Sequence, residues 1–238
     1  MSTTVTDAVI REHARELKLP AVAREYTALA RQAAADGGRC EDYLKELLEA
    51  EVRSRRDHVA HARIREAHFP DLKTLDQIDW SAMAGVSRPA IAELATCGFV
   101  AKARDVVIVG PIGTGKTHLA IALGVEAARR RFRVAFMRAA DLVRELLKAR
   151  DARALGRLHL RLRRAHLLIV DELGFVPFDR IGGELLSRET RRQDRGTISL
   201  PTCPPASTRP CPRFIPRWSG TTRWTTSHST LTPRPSGP

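Results

Sequence analysis

Eight residues constrain this chain more than any others: Gly110-Pro-Ile-Gly-Thr-Gly-Lys-Thr117, set directly behind the apolar run Val106–Val109. They fit the pattern G-x-x-x-x-G-K-S/T. Glycine tolerates left-handed backbone, so successive N–H groups of such a loop can turn toward one anion. A short β-branched run bounded by a glycine loop reads as a buried parallel strand. A helix opening at Lys116 would aim its N-terminal donors and dipole at the same anion. In this pattern Lys116 neutralises the β- and γ-phosphates of a nucleotide, and the Thr117 hydroxyl is a magnesium ligand. A chance glycine loop, the bland alternative, requires neither the strand before it nor the helix after it.

A second segment supplies the missing carboxylates. Leu167-Leu-Ile-Val170 is a buried-strand run that delivers Asp171 and Glu172 at its carboxyl end. There Asp171 would hold magnesium through water and Glu172 would polarise an attacking water. Taken alone, an acid pair after an apolar run is as easily a surface cap. Downstream of a phosphate loop by two strands, the chemical reading is favoured. A glutamate directly after the metal aspartate points to ATP hydrolysis rather than phosphoryl transfer to a small molecule.

The periodicity around these motifs divides the chain. Val22, Tyr26, Leu29, Ala30 and Ala33 form a one-sided stripe between Pro20 and Gly37-Gly38, which predicts a helix. A second helix is expected from about Glu41, with Leu44, Leu47, Leu48 and Val52 on one face, running on until Pro70 closes it. A linker and a short helix from about Pro89 to Cys97 follow. Beyond Asp105, strand and helix alternate: 117–130 helix, Arg133–Met137 strand, Asp141–Lys148 helix, Leu167–Val170 strand. This predicts an α/β domain with a parallel sheet and crossover helices, preceded by a small all-α domain. The expected boundaries are 1–75, 76–187 and 188–238. The last segment is expected to be irregular, because residues 195–238 hold 15 Ser and Thr, 9 Pro and 6 Arg, with no acid and no lysine.

Composition narrows the partners. The net charge of +13 points to a polyanion, most simply nucleic acid. It is unevenly spread, since residues 1–187 carry a net +6 and residues 188–238 a net +7. Apolar runs are too short for a membrane span, and the N-terminus lacks a secretory core. Cys40, Cys97, Cys203 and Cys211 have no metal-like spacing, so a reduced, cytoplasmic protein is expected. Arg153, Arg157, Arg161 and Arg164 recur without local acids, as expected of a face that tracks phosphates. Arg53, Arg55, Arg56, Arg63 and Arg65 sit among Glu49, Glu51, Asp57 and Glu66, and a solvated helix face is as good a reading there. His58, His61 and His118 lack a ligand cluster and read as surface or supporting residues. Trp218 and Trp224 offer stacking surfaces, but in a segment without pattern.

LKLPAVAREY, FPDLKTLDQIDW, ELATCGFV, GPIGTGKTHLA, AADLV and LLIVDELGFVPFD, in this order, resemble the IstB-type insertion-sequence helper ATPases, relatives of the DnaC helicase loaders within the AAA+ class. The likeness covers roughly residues 15–187. It implies a P-loop NTPase (AAA+) core that uses ATP and Mg2+, binds DNA, self-assembles on it and works with a partner transposase. A DnaC-like helicase loader is the alternative with the same chemistry. Carried over, the nucleotide loop is Gly110, Pro111, Ile112, Gly113, Thr114, Gly115, Lys116 and Thr117, followed by His118; the acids are Asp171 for metal and Glu172 for hydrolysis. The resemblance also calls for a fourth core strand ending in Asn and a later arginine in a Leu-Asp-Arg context. Arg188 onward contains neither, and Thr197-Ile-Ser-Leu leads into Pro201 instead. A shifted reading frame is the expected cause, which would leave a truncated helper with impaired turnover.

Overall fold

The computed structural model describes residues 2–80, 87–110, 113–173, 180–190, 195–201 and 222–225. Its contacts divide the chain into two compact units, Met1–Ala60 and His61–Pro238.

The first unit is helical. It comprises α1 (Ser2–Glu16), α2 (Pro20–Ala35) and most of α3 (Cys40–Glu66). Pro20 opens α2 at a position where its missing N–H costs nothing, but Leu19 before it cannot cap the helix. Glu51 of α3 does so instead. Its Oε2 accepts from Ala21 N at 2.8 Å and Val22 N at 3.3 Å, while Oε1 accepts from Arg55 Nε at 2.9 Å. Burial alone would raise the Glu51 pKa; the Arg55 guanidinium and the two N–H donors outweigh it and hold the carboxyl below its ordinary value. Glu51→Ala is therefore expected to cost about 2 kcal/mol in urea denaturation at neutral pH. A carboxyl whose pKa is lowered by folding stabilises above its unfolded pKa and loses that contribution as pH falls through the folded value. The variant and the parent are thus expected to converge as pH falls below the ordinary glutamate range.

The apolar face expected on α3 is split. Leu47 is buried with Ala50, Glu51 and Ala60, whereas Leu44, Leu48 and Val52 face solvent.

The second unit holds the end of α3, a 3-10 turn at Leu75–Gln77, α4 (Arg88–Ala95) and α5 (Gly98–Ala101), then alternates: β1 (Asp105–Val109), α6 (Lys116–Arg129), β2 (Val134–Arg138), α7 (Ala139–Asp151), α8 (Leu155–Arg163), β3 (Leu167–Leu173), α9 (Arg180–Thr190), β4 (Gly196–Pro201) and β5 (Thr222–Thr225). All ladders are parallel, in the order β2-β3-β4-β1-β5. Leu167 to Val170 of β3 are fully buried, each side chain contributing about 1.5–3 kcal/mol. Ile169 and Ile198 face α6, and Leu168 and Val170 face the layer of α7 and α8. Gly124 of α6 lets the helix lie close: a Cβ there would stand 2.8 Å from Ile169 Cδ1 and 2.9 Å from Phe69 Cζ. The fold class read from the sequence, an α/β P-loop core with a parallel sheet after a helical N-terminal region, is the one observed.

The tail expectation needs correction. Gly196–Pro201 is the central strand, bonded to β3 on one side and β1 on the other. Ile198 and Leu200 are buried on one face, Thr197 and Ser199 on the other. Thr222–Thr225 adds an edge strand beside β1. A six-residue strand paired on both sides, as β4 is by β1 and β3, takes its backbone bonds and burial from its neighbours, so neither the scarcity of apolar residues nor the following prolines prevented it. Pro201 stands at the strand end, where a missing N–H interrupts nothing.

Candidate functional site

The loop between β1 and α6 is shaped by two left-handed glycines, Gly113 (φ +81°) and Gly115 (φ +78°). Gly115 is the N-cap of α6 and offers no side-chain acceptor, so the first N–H groups of the helix stay open to an incoming anion. Lys116, on the first turn, is only 7% exposed. A buried ammonium beside a helix N-terminus makes a concentrated positive centre, the complement of a polyphosphate. Gly110 and Thr114 complete the described part of the loop; Pro111 and Ile112 lie outside the described residues.

Strand order brings the acids to the same place. Only β4 separates β3 from β1, and Asp171 emerges from β3 buried and facing α6. Thr117 Oγ1 donates to Asp171 Oδ2 at 3.0 Å. Asp171 Oδ1 accepts from the N–H of Glu172 at 2.8 Å. That bond accompanies a left-handed Glu172 (φ +58°) and a register shift in β3 after Val170. The kink carries the Glu172 carboxylate out of the ladder to an exposed position, 4.0 Å from Arg138 Nε at the end of β2. Left-handed backbone at a non-glycine residue costs of order 1 kcal/mol or more and concentrates at functional positions.

The donor set suits a hard cation with few protein ligands. Thr117 and Asp171 offer two oxygens, and among the described residues no group of three His, Cys, Asp or Glu converges elsewhere. Magnesium is held in this way, with nucleotide phosphates and water completing its shell. His118, the next residue of α6, turns away from the acids; its Nε2 lies 3.3 Å from Thr74 O.

Arg138 was not legible in the sequence, because only the pairing of Arg138 with Asp171 across β2 and β3 brings it to Glu172. The arginine series is also modified. Arg153, Arg157, Arg161 and Arg164 are all exposed along α8 and its flanks, but Arg161 is ion-paired with Glu145 of α7, an acid that local sequence placed elsewhere. On α3, Arg55 is engaged by Glu51 and Lys18 O, and Arg63 by Glu66. Trp218 lies outside the described residues, and for Trp224 only the backbone in β5 is described.

The family of IstB-like ATP binding proteins matches this chain over residues 12–198. The chain belongs to that family. Among similar relatives, the insertion sequence IS21 putative ATP-binding protein of Pseudomonas aeruginosa is 36% identical over 77% of this chain and 70% of its own length. The insertion sequence IS5376 putative ATP-binding protein of Geobacillus stearothermophilus is 34% identical over 71% and 68%. A solved DnaC helicase loader is 20% identical with a TM-score of 0.45, over 50% of this chain and 70% of that one. AMPPCP-bound DnaA from Aquifex aeolicus is 19% identical with a TM-score of 0.47, over 57% and 44%. The IstB-like match contains every residue of the phosphate loop and both acids, and it stops inside β4 at Ile198. Among the described residues no helix is long and apolar enough to cross a membrane.

Proposed function

We propose that this chain binds ATP with Mg2+ at the β1–α6 loop, hydrolyses it, and through that cycle assists a partner transposase on DNA. The observation that carries the reading is the bond from Thr117 Oγ1 to Asp171 Oδ2 beside the buried Lys116. A hydroxyl and an ammonium from α6 and a carboxylate from β3 thus stand around the mouth of one glycine loop. Bound magnesium would neutralise charge on the phosphates. The chain's own groups divide the remaining work. Lys116 and the α6 N–H donors hold the phosphates, Thr117 and Asp171 hold the cation, and Glu172 orients and deprotonates water from its exposed perch. The insertion-sequence names of the relatives support the transposition role. The helical region of residues 1–75 and the arginines around α8 are the parts suited to partner and DNA contact.

The test is ATP turnover by the full chain with and without duplex DNA. Glu172→Gln is expected to lower turnover by about 10²–10³-fold with ATP affinity retained, because only the proton acceptor is lost. Equal turnover in the variant would reject the assigned role of Glu172. If neither protein bound ATP, the nucleotide reading itself would fail.

One observation favours a second reading, a helper with impaired turnover. The family match ends in the middle of the central strand, and Ser199 Oγ is buried there with no hydrogen-bond partner among the described residues. An orphaned hydroxyl in a core costs about 1–3 kcal/mol. Translating the other two frames of the gene beyond codon 186 distinguishes the readings. A frame that yields a strand ending in Asn and a later Leu-Asp-Arg supports the impaired helper; its absence removes that reading.

A further inference from the structure

Residues 67–78 follow the end of α3 and form a strap pinned to α6 at two points. At one end Phe69 occupies the space that Gly124 leaves open, where a Cβ would stand 2.9 Å from Phe69 Cζ. The same ring meets Phe136 edge-on at 6.2 Å, and the O of buried Ala67 accepts from Phe136 N at 3.0 Å. At the other end Leu75 and Ile78 pack on the core. There Thr74 O accepts from Gln77 N at 3.2 Å and lies 3.3 Å from His118 Nε2. A carbonyl oxygen only accepts, so Nε2 carries the proton and donates. Between these pins Pro70, Asp71 and Leu72 are exposed, and burial does not hold them.

His118 stands directly after Lys116 and Thr117 on the first turn of α6, the two residues assigned to phosphate and cation. A ligand that grips those two fixes the backbone of the turn, and with it the imidazole. The bond to Thr74 is long for N–H···O, so a better-ordered turn has room to tighten it. The imidazole also lies in reach of the strap's charges. Lys73, 2.6 Å from Asp71, holds that carboxyl below its ordinary range, and His118 adds a smaller pull in the same direction. His118 thus engages the strap on the side away from the acids, where the chemistry of hydrolysis makes no use of it.

We propose that His118 is a positioning residue that carries nucleotide occupancy from the phosphate loop to the strap of residues 67–78, and so toward α3. The inference rests on the nucleotide reading of the loop. Its physical content is one bond that strengthens when the first turn of α6 is held, which makes the coupling modest and local.

Hydrogen exchange of the full chain, read by mass spectrometry with and without saturating Mg2+ and AMPPCP (a non-hydrolysable ATP), tests it. In the parent the nucleotide should slow exchange of the loop, residues 110–117, and should slow residues 70–78 by about 5-fold, the worth of one hydrogen bond. In His118→Ala the slowing of residues 70–78 should fall below about 1.5-fold while that of the loop persists. Because nucleotide saturates each variant, a change in affinity does not enter. His118→Gln, whose amide N–H can reach the same carbonyl, should recover at least half of the parent's slowing. His118→Leu, which fills the space without a donor, should behave like alanine. Slowing of the strap retained in His118→Ala, recovery by leucine as well as glutamine, or a strap indifferent to a nucleotide that protects the loop would each overturn the coupling. A loop left unprotected in the parent would sink the nucleotide reading, and this inference with it.

Discussion

Lys116→Ala is expected to lower ATP affinity by about 100-fold or more without unfolding the chain. Lys116 sits 7% exposed on the first turn of α6, where the helix N-terminus already favours an anion. A charge-assisted bond to phosphate contributes about 3 kcal/mol in such a partly dry site, which is roughly two decades in affinity. The upward shift in melting temperature that ATP produces in the parent should disappear in the variant. Titration with a fluorescent ATP analogue and a melting curve with and without ATP read both halves. Retained affinity would mean that the phosphates do not sit at this loop. A collapse in stability without nucleotide would mean that Lys116 is structural.

Arg195→Ala is expected to be strongly destabilising. Arg195, just before β4, is buried, and its Nη2 donates to Glu189 O at 3.0 Å and to Glu189 Oε2 at 3.3 Å. Glu189 is equally buried on α9, and its Oε1 lies 2.8 Å from His159 Nε2 of α8. One carboxylate thus ties α8, α9 and the entry to the central strand. Removing the guanidinium leaves that carboxylate in a low-dielectric interior short of its principal cation, which costs about 3–5 kcal/mol. For a chain of this size the melting temperature should fall by on the order of 10 °C. Replacing Arg195 and Glu189 together by methionine should cost much less, because no charge is then stranded. Urea denaturation of the three variants decides it. If the double variant were as unstable as Arg195→Ala, packing rather than charge would account for the loss.

The two engines of the site differ in how openly the sequence displayed them. The phosphate loop and the strand ending in Asp171 and Glu172 were legible because each works through residues adjacent in the chain: a strand, glycines with positive φ, a helix start. Helix and strand positions from Asp105 to Val170 followed for the same reason, since periods of 2 and 3.6 are local. Arg138 beside Glu172, Glu145 beside Arg161 and the Glu189–Arg195–His159 group were not legible. Each depends on which strands and helices lie side by side, and a sequence without its pairing carries no such order. The central strand Gly196–Pro201 was misread for a related reason. Its own composition is weak for a core strand, and the burial that sustains it comes from β1 and β3.

On α3 the apolar residues were recognised but their destination was not. Periodicity shows that Leu44, Leu48 and Val52 share a face; it does not say whether that face is inward. Packing decided it, burying Leu47, Ala50, Glu51 and Ala60 and leaving the other residues exposed. The sequence by itself determined the fold class, the left-handed glycine loop ahead of a helix and the strand that carries Asp171 and Glu172, because short-range stereochemistry dictates these. Tertiary structure alone decided that Asp171 bonds Thr117, that β4 is central and that a line of apolar residues on α3 is left facing water. Those outcomes rest on contacts between residues far apart in the chain, whose free energy exists only once the elements have packed.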